Sequence, residues 1–164
     1  MPPTLGVFSM TPGPWTCRQT SAHTGSVSQA SIEVIRRALD AFNRRDLEAI
    51  RALHDNDVRV DWSASRGLEA GVYTGLSEVV GFFRTFFDTF DAIRVEPEEF
   101  IESGQLIVVP NCAHMRGRDG IETIARSALV FEVRGGRVAR LCLYQETADA
   151  LRAVDLPRSH PDRA

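Results

Sequence analysis

The sixteen residues Phe131–Glu146, FEVRGGRVARLCLYQE, decide how this chain folds. Gly135-Gly136 divides them into two apolar runs, and consecutive glycines supply the pair of positive φ angles that a two-residue type I′ loop requires. The spacing therefore predicts a β-hairpin in which Ile121–Arg134 returns as Arg137–Glu146. An unbroken ladder from that turn sets Val133 opposite Val138, Phe131 opposite Arg140, Leu129 opposite Cys142, Ser127 opposite Tyr144 and Ala125 opposite Glu146, all on one face. Val130, Ala128, Ala139, Leu141 and Leu143 then form the other face. Both faces are largely apolar, so both are expected to be covered, one by helices and the other by a second copy of the chain. A homodimer through the sheet face follows as the expectation.

Upstream of the hairpin, Ser103-Gly104 and Asp119-Gly120 delimit two more strand candidates, Ala92–Ile101 and Gln105–Met115. Before them Val79, Phe82, Phe83, Phe86 and Phe90 make an apolar stripe about 100° wide on a helix, a pattern read first as core. Ser63–Gly75 is a loop that follows a strand at Val58–Trp62. Earlier still, Asp46 caps a short helix carrying Leu47, Ile50 and Leu53, and Ile32, Ile35, Leu39 and Phe42 recur at helical spacing. Thr147–Val154 suits a closing helix. Pro2, Pro3, Pro12 and Pro14 mark residues 1–28 as a disordered extension, with Met10 or later compatible as an alternative start, and Pro157 and Pro161 mark a disordered tail over 155–164. One domain at 29–154 remains. Helices first and an antiparallel meander afterwards predict an α+β fold with three helices on one face of a strongly curved sheet.

Composition narrows the function. A formal net charge of -3 offers no general attraction to nucleic acid. All 19 basic residues are arginine, the bias of a GC-rich bacterial genome, and without lysine neither Schiff-base chemistry nor a phosphate-loop lysine is available. No apolar run approaches the roughly 20 residues needed to cross a bilayer. Cys17, Cys112 and Cys142 are odd in number and widely spaced, which suits reduced thiols in a cytoplasm. The histidines 23, 54, 114 and 160 are scattered and form no HExxH pattern, so no metal and no other cofactor is expected.

The order of elements, together with NRRDLEAI at Asn43–Ile50 and FEVRGGRVARLCLYQE at Phe131–Glu146, resembles the SnoaL-like family of the nuclear transport factor two-like superfamily, over about residues 28–156. That resemblance implies a cone-shaped fold around a pocket, which different members use as polyketide cyclases, ketosteroid isomerases, limonene epoxide hydrolases, scytalone dehydratases or non-catalytic proteins. Aligned on NRRDLEAI, the ketosteroid isomerase tyrosine falls on Ala38, its base aspartate on Trp62 and its protonated aspartate on Leu129, so that machinery is missing. Aligned on the hairpin, Tyr144 and Glu146 match a tyrosine and an aspartate of limonene epoxide hydrolases, whose arginine and second aspartate fall near Cys112 and His114.

The residues that could act in such a pocket are then few. Glu146, His114 and Tyr144 are the candidate proton-moving and oxygen-stabilising groups; the competing readings are a rim carboxylate for Glu146, in water or paired with an arginine, and a hydrogen-bonded structural histidine for His114. Trp62, Tyr73, Phe86, Cys112, Leu129 and Arg140 are the candidate wall and contact residues. Three functions stay open: a cofactor-independent lyase, isomerase or cyclase; a binder or carrier of a small apolar or aromatic metabolite; and a dimerising accessory domain with a filled cavity. The catalytic reading requires Glu146, His114 and Tyr144 to converge on one open volume.

Overall fold

A computed structural model describes residues 24–67 and 69–155. The first helix, α1, runs Thr24–Asn43, beginning inside the stretch read as the N-terminal extension; residues 1–23, the rest of that extension, and 156–164 lie outside the described residues. α2 is Leu47–Leu53, β1 His54–Asp61, β2 Val72–Thr74, α3 Leu76–Thr89, β3 Phe90–Pro97, β4 Ile101–Ser103, β5 Leu106–Gly117, β6 Glu122–Arg134, β7 Arg137–Tyr144 and α4 Thr147–Asp155. The sheet order is β2-β1-β7-β6-β5-β3, with β4 pairing β5, and among the described strands only the β1–β7 contact is parallel. This is the expected α+β architecture. Ser63–Gly75 differs from expectation in holding the short strand β2, and the predicted strand at Ala92–Ile101 is divided into β3 and β4.

The NRRD segment owes its place to what each side chain ties together. Asn43 donates its amide to the Val95 carbonyl (2.9 Å) and accepts from the Val95 N–H (2.8 Å), pinning α1 to the edge strand β3. Arg45, at φ 58°, donates to the carbonyls of Phe87 (2.8 Å), in the last turn of α3, and Phe90 (2.9 Å), where α3 passes into β3. Asp46 accepts from the Ala49 N–H (3.0 Å) and so caps α2. Three of these four residues thus orient α1, α2, α3 and β3 around one corner.

Gly135 and Gly136 take φ 58° and 77°, as the type I′ loop demands, and Val133 faces Val138 as expected. One residue later the ladder changes. Ala139 is an extra residue on β7, so Glu132 faces Arg140, Phe131 faces Leu141, Val130 faces Cys142, Leu129 faces Leu143 and Ala128 faces Tyr144. A β-bulge of one residue exchanges every later side chain between the two faces. Leu141 and Leu143 therefore join Leu129 and Phe131 in the core beneath α1–α3, while Cys142 and Tyr144 lie on the opposite face. There α4 packs Ala150 and Val154 over Leu106, Val108, Ala128 and Val130. The chain's own last helix covers much of the surface expected to need a partner. No described helix is long and apolar enough to cross a membrane.

Candidate functional site

Between the helices and the concave face of the sheet lies a cavity of about 510 Å³. Strand alternation decides what faces it. β5 contributes Asn111, Ala113 and Met115; β6 contributes Thr123, Ala125, Ser127 and Leu129; Leu143 and Gln145 close the far side. The opposite wall is aromatic. Phe82 stands at the centre of it, its ring 5.4 Å from Trp62, 5.2 Å from Phe83 and 5.3 Å from Phe86, with Phe42 and Phe90 extending the wall to either side. These edge-on and tilted geometries are those that ring quadrupoles favour.

The polar part of the lining is short, and its charge is confined to two arginines at the rim. Asn111 is buried; its amide donates to the carbonyls of Val109 (3.2 Å) and Ser127 (3.3 Å), and its oxygen accepts from Ser127 Oγ (3.3 Å). Gln145 donates to the Ala64 carbonyl at 2.8 Å, fastening the loop after Trp62 across the mouth. That loop brings Ser65, Arg66 and Gly67 to the entrance, and exposed Arg126, paired with Glu98, stands there too.

A second, smaller cavity of about 50 Å³ adjoins the first and shares five lining residues with it: Phe42, Trp62, Phe83, Val95 and Leu129. His54 lines this inner space, buried, with Nδ1 donating to the Ile50 carbonyl at 2.7 Å and burial pushing its pKa down.

Trp62, Phe86 and Leu129 line the main cavity, where the sequence had put them. The expected convergence of Glu146, His114 and Tyr144 does not occur. Tyr144 follows the bulge onto the outer face beside Cys142, where burial raises its phenol to about 12. Glu146 is exposed at the head of α4, its carbonyl accepting from Asp149 (3.1 Å) and Ala150 (3.2 Å). Cys112 and His114 share a face, as expected, but it is the outer one: Cys112 faces Arg126, and His114 lies 3.4 Å from Glu96 and 3.7 Å from the Cys112 sulfur. Arg140 is opposite Glu132 and ion-paired with it at 3.8 Å, on the same outer side of the sheet as Arg126. Tyr73 packs behind Phe82 at 4.5 Å and donates its hydroxyl to the Glu69 carbonyl (2.9 Å), so it braces the wall without lining the cavity.

Asn111, Ser127, Gln145 and His54 were missed. A polar residue inside the run LIVVPNCA is a signal for Asn111, since a buried amide needs partners. Ser127 already shared the expected face of Leu129, whereas Gln145 became findable only with the correct register. Among the described residues no group of three or more His, Cys, Asp or Glu stands close enough to hold a metal ion.

The model of the SnoaL-like domain family matches residues 35–141. Solved structures share the fold. An NTF2-like protein of unknown function from Burkholderia pseudomallei is 28% identical, with 76% of this chain and 97% of that one covered at a TM-score of 0.64. TerC, co-crystallised with polyporic acid, is 22% identical over 77% of this chain and 99% of its own, TM-score 0.62. A Mycobacterium tuberculosis protein in complex with estradiol-17β-hemisuccinate is 18% identical over 71% and 94%, TM-score 0.62. No curated protein sequence matches significantly.

Proposed function

Because the chain belongs to the SnoaL-like domain family, we propose that it holds one small apolar or aromatic metabolite in the cavity under Trp62 and Phe86, as a binder or carrier. One observation carries this reading: an open volume of about 510 Å³ whose described lining is aromatic and aliphatic apart from neutral amides and hydroxyls and two rim arginines. A binding pocket needs apolar walls and a few orienting polar groups, and these are present. Proton transfer needs an acid or base within hydrogen-bonding reach of the ligand. The described lining of the main cavity has no Asp, Glu, Tyr, Cys or His, so lyase, isomerase or cyclase chemistry has less support than binding. An accessory domain with a filled interior fits poorly with so large a space. Small organic molecules bound to two proteins of the same fold accord with the proposal.

We further propose a cytoplasmic homodimer. Cys112 and Cys142 are unpaired thiols, suited to a reducing compartment. On the outer face α4 leaves the far ends of β5 and β6 open, where Ile124 is 66% exposed opposite His114. A second copy seated there would cover it.

Native mass spectrometry before and after denaturing extraction tests both parts. A dimer that releases a small apolar molecule is expected. An empty protein that takes up nothing from a panel of hydrophobic metabolites would sink the binding proposal, and a monomer would sink the dimer.

A further inference from the structure

His54 is 4% exposed and sits where α2 passes into β1. Its Nδ1 lies 2.7 Å from the Ile50 carbonyl oxygen, which can only accept, so Nδ1 carries the proton. In the neutral ring Nε2 is then a bare acceptor, and no described residue donates to it. Buried acceptors are rarely left so. The inner cavity that His54 lines is otherwise hydrocarbon except for the Trp62 indole, so among the described residues nothing supplies the missing donor and a bound molecule can. At about 50 Å³ this space accommodates a water molecule or a hydroxyl group but not a ring. Its five lining residues in common with the main cavity place it directly beside that space, on the side of α1 and α2.

We propose that His54 is the pocket's deep polar anchor, accepting through Nε2 a hydrogen bond from the hydroxyl of a bound alcohol or phenol whose apolar body fills the main cavity. This rests on the binding reading above. It adds a chemical class: a hydroxyl reaching inward presents a proton to Nε2, whereas a ketone at the same depth would set lone pair against lone pair. The role is that of a binding contact, separate from the proton-moving residues expected from the sequence, Glu146, His114 and Tyr144, which lie elsewhere.

The test uses 2-naphthol and naphthalene as probes, with the full chain carrying ¹⁵N-labelled histidine. Both should bind, and the Nε2 resonance of His54 should move with 2-naphthol and stay in place with naphthalene. The affinity ratio of naphthol to naphthalene should fall about fivefold in His54→Phe, the loss of one neutral hydrogen bond. It should return in His54→Gln, whose amide oxygen can occupy the place of Nε2. Binding of both probes with Nε2 unmoved overturns the inference and leaves the pocket reading standing, with water alone in the inner cavity. Binding of neither overturns the pocket reading and this inference with it. Because the resonance is read on the unaltered protein, a variant that fails to fold does not rescue the idea.

Discussion

Ser127 Oγ donates to Asn111 Oδ1 at 3.3 Å, side by side on paired strands at the floor of the main cavity. Asn111 also gives its amide protons to the Val109 and Ser127 carbonyls, so Ser127 is its one described side-chain donor. Ser127→Ala should leave a buried amide oxygen short of a partner and lower stability by about 1 kcal/mol. A urea titration checks it, and no change in midpoint would mean that water already satisfies Asn111.

Ala113 and Ala125 face each other across the strands and keep the cavity open by being small. Ala113→Trp should fill it. Affinity for a hydrophobic fluorescent dye should drop at least about tenfold, ~1.4 kcal/mol, while circular dichroism keeps its wild-type form. Undiminished dye binding would place the ligand elsewhere.

Phe82 and Phe86 both touch Trp62, but Phe82 is buried among four rings and Phe86 is partly exposed to the cavity. Phe82→Ala should cost about 3–5 kcal/mol of stability, as for other buried aromatics. Phe86→Ala should cost less than half of that and weaken dye binding more. Equal losses of stability would remove the distinction between wall and foundation.

Burial holds the His54 pKa below its ordinary 6.5. The unfolded chain takes up that proton as pH falls through about 6.5, and the folded chain only at lower pH. Stability from the neutral ring is therefore complete above about 6.5 and is lost as pH falls toward the folded value. The lowered carboxyls, Asp46 and Glu96, start from 3.8 and 4.5 and act only at lower pH. The urea midpoint should fall between pH 7.5 and 5.5, and fall less in His54→Phe. A flat wild-type profile would contradict this.

Ile124→Glu should convert the expected dimer to a monomer in analytical ultracentrifugation, since a carboxylate would have to be desolvated in the contact. A dimer that survives would move the interface away from this strip.

The chain order of elements was legible because it depends on local signals. Gly135-Gly136 had to turn, Asp46 had to cap, and the stripe through Val79 and Phe83 had to face a core. The site was less legible because it depends on parity. Ala139 is small, apolar and buried, with nothing in its chemistry to mark it as the residue left out of the ladder. Counting it in brought Tyr144 and Glu146 inward; leaving it out brings Leu143 and Gln145 instead. His54 was legible as a residue and not as a site, since neither its burial nor the direction of its Nδ1 proton can be read from a chain position.

The alternation along β5 carries a consequence for how this gene can drift. Asn111, Ala113 and Met115 answer to whatever the cavity holds, while the intervening Cys112 and His114 answer to the surface on the far side. Adjacent codons thus answer to separate physical demands, interleaved letter by letter like two messages on one tape. A lineage that exchanged its ligand is expected to rewrite 111, 113, 127 and 145 together, leaving 112 and 114 to change on a different schedule.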